Sequence, residues 1–169
     1  MINISSFRRK ITVGITAAVI MCGFGVIGAS AATTTVGDFT IDRSYSYGSY
    51  SVTVTKYSGA GGDIELPQTA EFSGTTYQIE GIGSAFKEDT KITSVTIPEG
   101  YTSIDASAFS GCINLVSVEI PGSMTSISAN AFENCTSLSS VIFADDTAST
   151  LSLMNAVFAN CTSQAVQEL

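Results

Sequence analysis

The pair Ala-Phe recurs at Ala85-Phe86, Ala108-Phe109 and Ala131-Phe132, each 23 residues after the last. The same step joins Cys112 to Cys135, Ile97-Pro98 to Ile120-Pro121, and Ile104 to Ile127. It also joins Val95, Val118 and Val141, and then Ile92, Leu115 and Leu138. Six columns on one period leave little room for a fold made of unrelated elements. A period in this range means one supersecondary unit stacked on copies of itself, each burying what its neighbour exposes.

The units run over residues 92–114, 115–137 and 138–163. The last is three residues longer, with its extra residues between Phe143 and Leu153; Val157-Phe158 and Cys161 then resume the pattern. A degenerate unit over 64–91 holds Leu66-Pro67, Ile79, Ile82, Ala85 and Phe86. From Leu66 to Phe86 is 20 residues, where Ile97 to Phe109 is 12, so eight residues are inserted around Ser73 to Tyr77.

Within a unit, Val118 and Ile120 alternate at strand period and share one face. Pro121 has no N–H for a ladder and starts a corner. Met124 and Ile127 turn inward on the next side, and Ala131-Phe132 lies on a short helical or irregular turn. Asn134 takes the following corner, and Cys135 returns as a small buried side chain. The expected core is therefore Val95, Ile97, Ile104, Phe109 and Cys112 in one unit. Val118, Ile120, Ile127, Phe132 and Cys135 repeat it in the next, and Phe158 and Cys161 in the last.

The stretches SVTIPEGYTSIDASAFSGC and SVEIPGSMTSISANAFENC resemble the BspA-like, or treponemal-type, leucine-rich repeat of bacterial surface proteins. The resemblance covers Ile64 to Ser163, and is specific for the repeat type but not for a ligand. It implies a leucine-rich-repeat solenoid, α/β by family, with short parallel strands and short helical turns. It further implies secretion or surface display, and adhesion to host or neighbouring-cell proteins. The short repeat count and the lack of a wall-anchor motif depart from the large adhesins of that family.

Upstream, Arg8-Arg9-Lys10 precede an apolar stretch from Ile11 to about Ile27, and Ala29-Ser30-Ala31 follows. A basic start, an apolar middle and an Ala-x-Ala end describe a secretory signal peptide over residues 1–31. The alternative is an uncleaved anchor, since the stretch approaches bilayer length. Gly23-Phe-Gly25-Val-Ile-Gly28 matches GxGxxG only in letters, because a dinucleotide site needs a strand before it and a helix after it. Cys22 follows Met21, too large for the small residue that precedes a lipid-modified cysteine. The chain has seven basic and fifteen acidic residues. Removing the signal leaves Arg43, Lys56, Lys87 and Lys91, a net charge of 4 − 15 = −11. Such a surface repels phosphate backbones and anionic lipid, so neither nucleic acid nor membrane insertion is expected of the mature chain.

Residues 32–63 are rich in Thr, Ser, Tyr and Gly. Phe39-Thr-Ile41 and Tyr50 to Lys56 alternate as strands, with Ser46-Tyr47-Gly48-Ser49 as the turn between them. The expectation is a β-hairpin capping the first coil, because a terminal layer otherwise exposes apolar surface and strand edges. Tyr45, Tyr47, Tyr50 and Tyr57 are its candidate contact residues, either for covering that end or for a partner. The end from Gln164 to Leu169 is too short for a matching cap.

Catalysis has little to stand on. There is no histidine, and the acid pairs Glu88-Asp89 and Asp145-Asp146 read as solvated loops. Cys112, Cys135 and Cys161 form a column spaced at about 4.8 Å, the strand separation. That is within disulfide reach for Cα atoms but long for parallel Cβ atoms. An odd number, no histidine and no CxxC argue against zinc, so buried free thiols are expected and no metal or cofactor. Asn134-Cys-Thr136 and Asn160-Cys-Thr162 match the glycosylation sequon, but the repeat alone accounts for them. The outward strand positions are Ser94 and Thr96, Ser117 and Glu119, then Ser140 and Ile142. These form the candidate binding face of a non-enzymatic interaction protein with an extracellular protein or glycan ligand. One rival is a structural subunit that self-associates through its open end, Leu151 to Leu169. Another is ice or crystal binding through Thr102/Thr125 and Ser103/Ser126/Ser152, a column pattern that breaks at Leu151.

Overall fold

Alternation of apolar and small polar residues puts Ile92–Thr96, Ser117–Ile120 and Ser140–Phe143 in strands β8, β10 and β12 of the computed structural model. It describes residues 31–144 and 151–163. The three strands pair in parallel, one repeat apart, with Val95 opposite Val118 and Val118 opposite Val141. The degenerate unit contributes β4 (Gly62–Glu65), whose Ile64 lies opposite Val95. The four make one sheet in the order β12-β10-β8-β4.

After each proline corner the chain enters a second, shorter parallel ladder. Its strands are β7 (Gly81–Ile82), β9 (Ser103–Ile104), β11 (Ser126–Ile127) and β13 (Ser152–Leu153). Ile82, Ile104, Ile127 and Leu153 stand in register across it. The first three are fully buried, whereas Leu153 is exposed.

The Ala-Phe segments close the third side as hydrogen-bonded turns, and no α-helix occurs among the described residues. The reason is local: left-handed backbone, which a helix excludes, follows every segment and also precedes the last three. Ser107, Asn130 and Ala156 precede Ala108-Phe109, Ala131-Phe132 and Val157-Phe158 at φ near 60°. Glu88, Gly111, Asn134 and Asn160 follow the segments at φ 61°, 78°, 59° and 59°. Asparagine and glycine tolerate that region best, which accounts for their use at this corner.

Between the corners the rings of Phe86, Phe109, Phe132 and Phe158 lie face to face. Centroid separations are 4.8, 5.0 and 5.5 Å, and interplanar angles 6°, 3° and 16°. Phe86, Phe109 and Phe132 are fully buried. The expected core position Phe158 is only half-buried, and among the described residues it stacks on one ring, that of Phe132. Val95, Ile97, Ile104, Cys112, Val118, Ile120, Ile127, Cys135 and Cys161 are all buried as their columns predict. Tyr101 shares the column of Met124 and is fully buried, with its hydroxyl donating to Pro67 O at 2.7 Å. Burial pushes that phenol well above its ordinary pKa.

Residues 32–57 form three antiparallel strands rather than two: β1 (Ala32–Val36), β2 (Phe39–Ser46) and β3 (Ser49–Tyr57). The unforeseen β1 is a β-branched run ended by Gly37, whose φ is 58°. Strand β3 then pairs in parallel with β7, Val54 opposite Ile82, so the three strands extend the second ladder. The eight inserted residues belong to a separate hairpin, β5 (Thr69–Phe72) and β6 (Thr75–Gln78). Residues 1–30, which hold the export segment, GxGxxG and Cys22, lie outside the described residues. So do Asp145-Asp146 and the end from Gln164 to Leu169.

Candidate functional site

Two surfaces gather the polar and aromatic groups. The first is the outer face of the β12-β10-β8-β4 sheet. Because side chains alternate across a strand, the residues flanking the inward valines, Val95 and Val118 buried and Val141 half-buried, point outward. Ser94, Thr96, Ser117 and Ser140 are half-buried there, and Glu119 and Ile142 are exposed. The register adds two acids not foreseen from the repeat, Asp63 opposite Ser94 and Glu65 opposite Thr96. One column therefore reads Asp63, Ser94, Ser117, Ser140, and the next Glu65, Thr96, Glu119, Ile142.

Hydrogen bonds run along this face from coil to coil. Asp63 accepts from Ser94 Oγ at 2.8 Å and Thr93 Oγ1 at 2.9 Å, which hold its carboxyl below the ordinary range. Thr96 Oγ1 donates to Glu119 at 3.4 Å. At the next corner Glu99 accepts from the backbone N–H groups of Gly122 at 3.0 Å and Ser123 at 3.1 Å. These bonds, the first above all, lower the Glu99 pKa. The face is thus a fixed grid of small hydroxyls and carboxylates with one apolar corner at Ile142, which is 53% exposed.

The second surface is the outer end of β2 and β3. Tyr57, one of the four candidate tyrosines, faces the stacked rings. Its ring lies 5.4 Å from Phe86 and 5.2 Å from Phe39, and its hydroxyl accepts from Gly61 N at 3.1 Å. Tyr45, Tyr47 and Tyr50 lie at the outer end of the hairpin and are 39%, 106% and 43% exposed. Tyr45 and Tyr50 pack at 4.8 Å. Beside them stands a group with no signal in the repeat pattern. The Arg43 guanidinium carbon lies 4.8 Å from the Tyr50 ring, 5.0 Å from Phe72 and 4.8 Å from Tyr77.

The cysteine column consists of buried thiols. Each Sγ donates to the phenylalanine carbonyl of the preceding coil: Cys112 to Phe86, Cys135 to Phe109 and Cys161 to Phe132, at 3.0, 3.1 and 3.2 Å. The same carbonyls accept backbone N–H groups, from Asp89 to Phe86 at 2.9 Å, Cys112 to Phe109 at 3.1 Å and Cys135 to Phe132 at 3.3 Å, so each thiol adds a second, weaker donor. The neighbouring Cys112 thiol and burial push the Cys135 pKa far up, and burial pushes Cys161 up to about 11. Thiolate is the reactive form. Maleimide labelling of the native mature chain near pH 8 is therefore expected to be slow at all three positions and complete only in denaturant. Rapid native labelling, or missing label after unfolding, would refute a column of protected thiols.

The acid pair Glu88-Asp89 is structural. Asp89 Oδ1 accepts from Lys91 N at 2.7 Å and Ile92 N at 3.3 Å, which starts strand β8. Glu88 occupies the left-handed corner. Among the described residues no group of three or more His, Cys, Asp or Glu is placed to hold a metal ion, and no helix is long and apolar enough to cross a membrane.

Residues 81–167 match the family model described as "BspA type Leucine rich repeat region (6 copies)". A leucine rich cell surface protein of Faecalibacterium prausnitzii is similar in structure, with a TM-score of 0.65 and 25% identity over 78% of this chain and 35% of its own. The pneumococcal vaccine antigen PcpA shares the fold at 17% identity, with a TM-score of 0.52 over 76% of this chain and 42% of its own. The chain spans less than half the length of either solved protein. No match was found among curated proteins.

Proposed function

Since the chain belongs to the BspA type leucine-rich repeat family, we propose that it is an exported, cell-surface binding protein without catalytic activity. In this reading the repeats form a solenoid closed at its N-terminal end by β1 to β3, and the four-stranded sheet presents its outer face to an extracellular protein or glycan. The observation that carries it is the pair of outward columns from Asp63 and Glu65 to Ser140 and Ile142, held rigid by bonds between coils. A rigid array loses little entropy on binding, and regular exposed columns are the usual recognition surface of repeat proteins. Its carboxylates favour a partner that is basic or rich in hydroxyls.

The test is an array of extracellular matrix proteins and glycans probed with the mature chain and with Ser117→Arg and Glu119→Arg. Both substitutions place a bulky cation at the middle of the face. They are expected to lower binding by about tenfold or more, the loss typical of a central interface residue, with little change in unfolding temperature. Binding that both variants retain in full would reject the sheet face.

A second reading has its own observation. Leu153, Met154 and Ile142 are exposed at the last described coil, and Phe158 is half-buried. A structural subunit would cover them by self-association. Sedimentation velocity across a hundredfold concentration range separates the two, because only self-association gives a concentration-dependent shift.

A further inference from the structure

Ile41, Arg43 and Tyr45 lie on one side of β2, opposite Val54, Val52 and Tyr50 of β3. Ile41, Val52 and Val54 are buried, so Arg43 stands where the core side of this sheet runs out towards solvent. The inserted β5–β6 hairpin supplies Phe72 and Tyr77 on the far side of the guanidinium, and Tyr77 also packs on Tyr50 at 5.5 Å. Three ring faces therefore surround one cation.

Two features are unexplained by packing. Arg43 Nε is buried without a hydrogen-bond partner, and among the described residues no carboxylate pairs with this guanidinium. Ring faces attract a cation, but they do not accept its N–H groups in the plane where a carboxylate would. Tyr47 sits at the hairpin tip in left-handed backbone, φ 51°, although it is fully exposed. A bulky residue is strained there and glycine or asparagine is preferred, yet the ring touches nothing that would compensate.

We infer that Arg43, with Tyr45, Tyr47 and Tyr50, forms a subsite for a sugar bearing a single carboxylate, a uronic or sialic acid within an otherwise neutral glycan. The guanidinium takes the carboxylate through its two terminal nitrogens, since Nε is buried. The sugar's C–H faces rest on tyrosine rings, whose faces carry the negative part of the ring quadrupole, and the phenol hydroxyls meet the sugar hydroxyls. The charge pattern selects for one carboxylate. Only four basic residues follow Lys10, against fifteen acids, so a polyanion is repelled while a lone carboxylate finds its counter-charge. The inference rests on the reading of the chain as a surface binding protein but uses a surface other than the four-stranded sheet.

The experiment compares methyl glucuronide, methyl N-acetylneuraminate glycoside with its carboxylate free, and methyl glucoside. Each is titrated into the mature chain and followed by saturation-transfer NMR. At least one acidic sugar is expected to bind about tenfold or more tightly than the glucoside, the scale of a hydrogen-bonded charge pair. Arg43→Gln should abolish that preference. Tyr47→Gly should weaken the acidic sugar several-fold without lowering the unfolding temperature, because it relieves the backbone. A merely structural tyrosine would show no such split, and this variant keeps the test valid if Arg43→Gln fails to fold. Equal binding of acidic and neutral sugars would overturn the inference. So would binding of N-acetylglycine as tight as that of the acidic sugar, which would mark a site for peptide carboxylates. Loss of every sugar alongside array binding sensitive to Ser117→Arg would overturn this subsite alone and leave the sheet reading standing.

Discussion

Truncating Phe109 to alanine is expected to destabilise the chain by about 3–5 kcal/mol, the usual range for removing a fully buried phenylalanine. The ring is covered on both faces, by Phe86 at 4.8 Å and Phe132 at 5.0 Å, and has no exposed surface. Its loss opens a cavity shared by two interfaces, and neither neighbour can close it without leaving its own coil's register. Total stability of a domain this size is only about 5–15 kcal/mol, so the variant loses a large share. Phe158→Ala is the internal control: that ring is half-buried and stacks on one face, and about 1–2 kcal/mol is expected from its smaller buried area. Urea unfolding of both variants checks the order. Equal losses would mean that the rings are not the shared core of the stack.

Gly61→Ala is expected to be nearly as damaging, by a different route. Gly61 has φ 92°, and a Cβ there would lie 2.4 Å from both Lys91 Cβ and the Lys91 carbonyl oxygen. That carbonyl accepts from Gly62 N at 2.9 Å and so begins the ladder between β4 and β8. The methyl group must displace backbone, in addition to about 1 kcal/mol of conformational strain. A total of about 2–4 kcal/mol is expected, among the larger effects of single substitutions, or on the order of 10 °C in unfolding temperature. Gly48→Ala isolates the strain alone, since Gly48 has φ 86° with no atom near its missing Cβ. Similar losses for the two variants would show that the close approach of residues 61 and 91 carries no stability.

The columns were legible because each recurs with one side-chain character and one period. Val95, Val118 and Val141 in register, the buried isoleucines at 104 and 127, and the turn at Tyr47-Gly48 all follow from spacing and residue type. What escaped lies where the period is broken or where direction matters. The residues of β5 and β6 interrupt the repeat, so no column announces that Phe72 and Tyr77 meet Arg43. Tyr101 occupies a methionine column, and its fit depends on Pro67, a contact 34 residues away. Burial foretells a small residue at Cys112, Cys135 and Cys161, but not that each thiol faces a carbonyl of the coil before it. Strand alternation gave the outward face, while its acidic edge needed the register of β4, which shifts between Gly62 and Asp63.

The bond from Tyr101 to Pro67 has one more consequence. Coils with matching columns are interchangeable: Ile97, Ile120 and their neighbours would pair almost as well if the chain were threaded one whole repeat out of place. Such a slip keeps every valine on a valine and every ring on a ring, so the common columns cannot oppose it. Only features that occur once can. The Tyr101 hydroxyl fits the Pro67 carbonyl, and Met124, its counterpart one repeat later, has no hydroxyl to offer. The pairing of Tyr101 with Pro67 thus acts as an address label, telling otherwise similar layers which of them comes first.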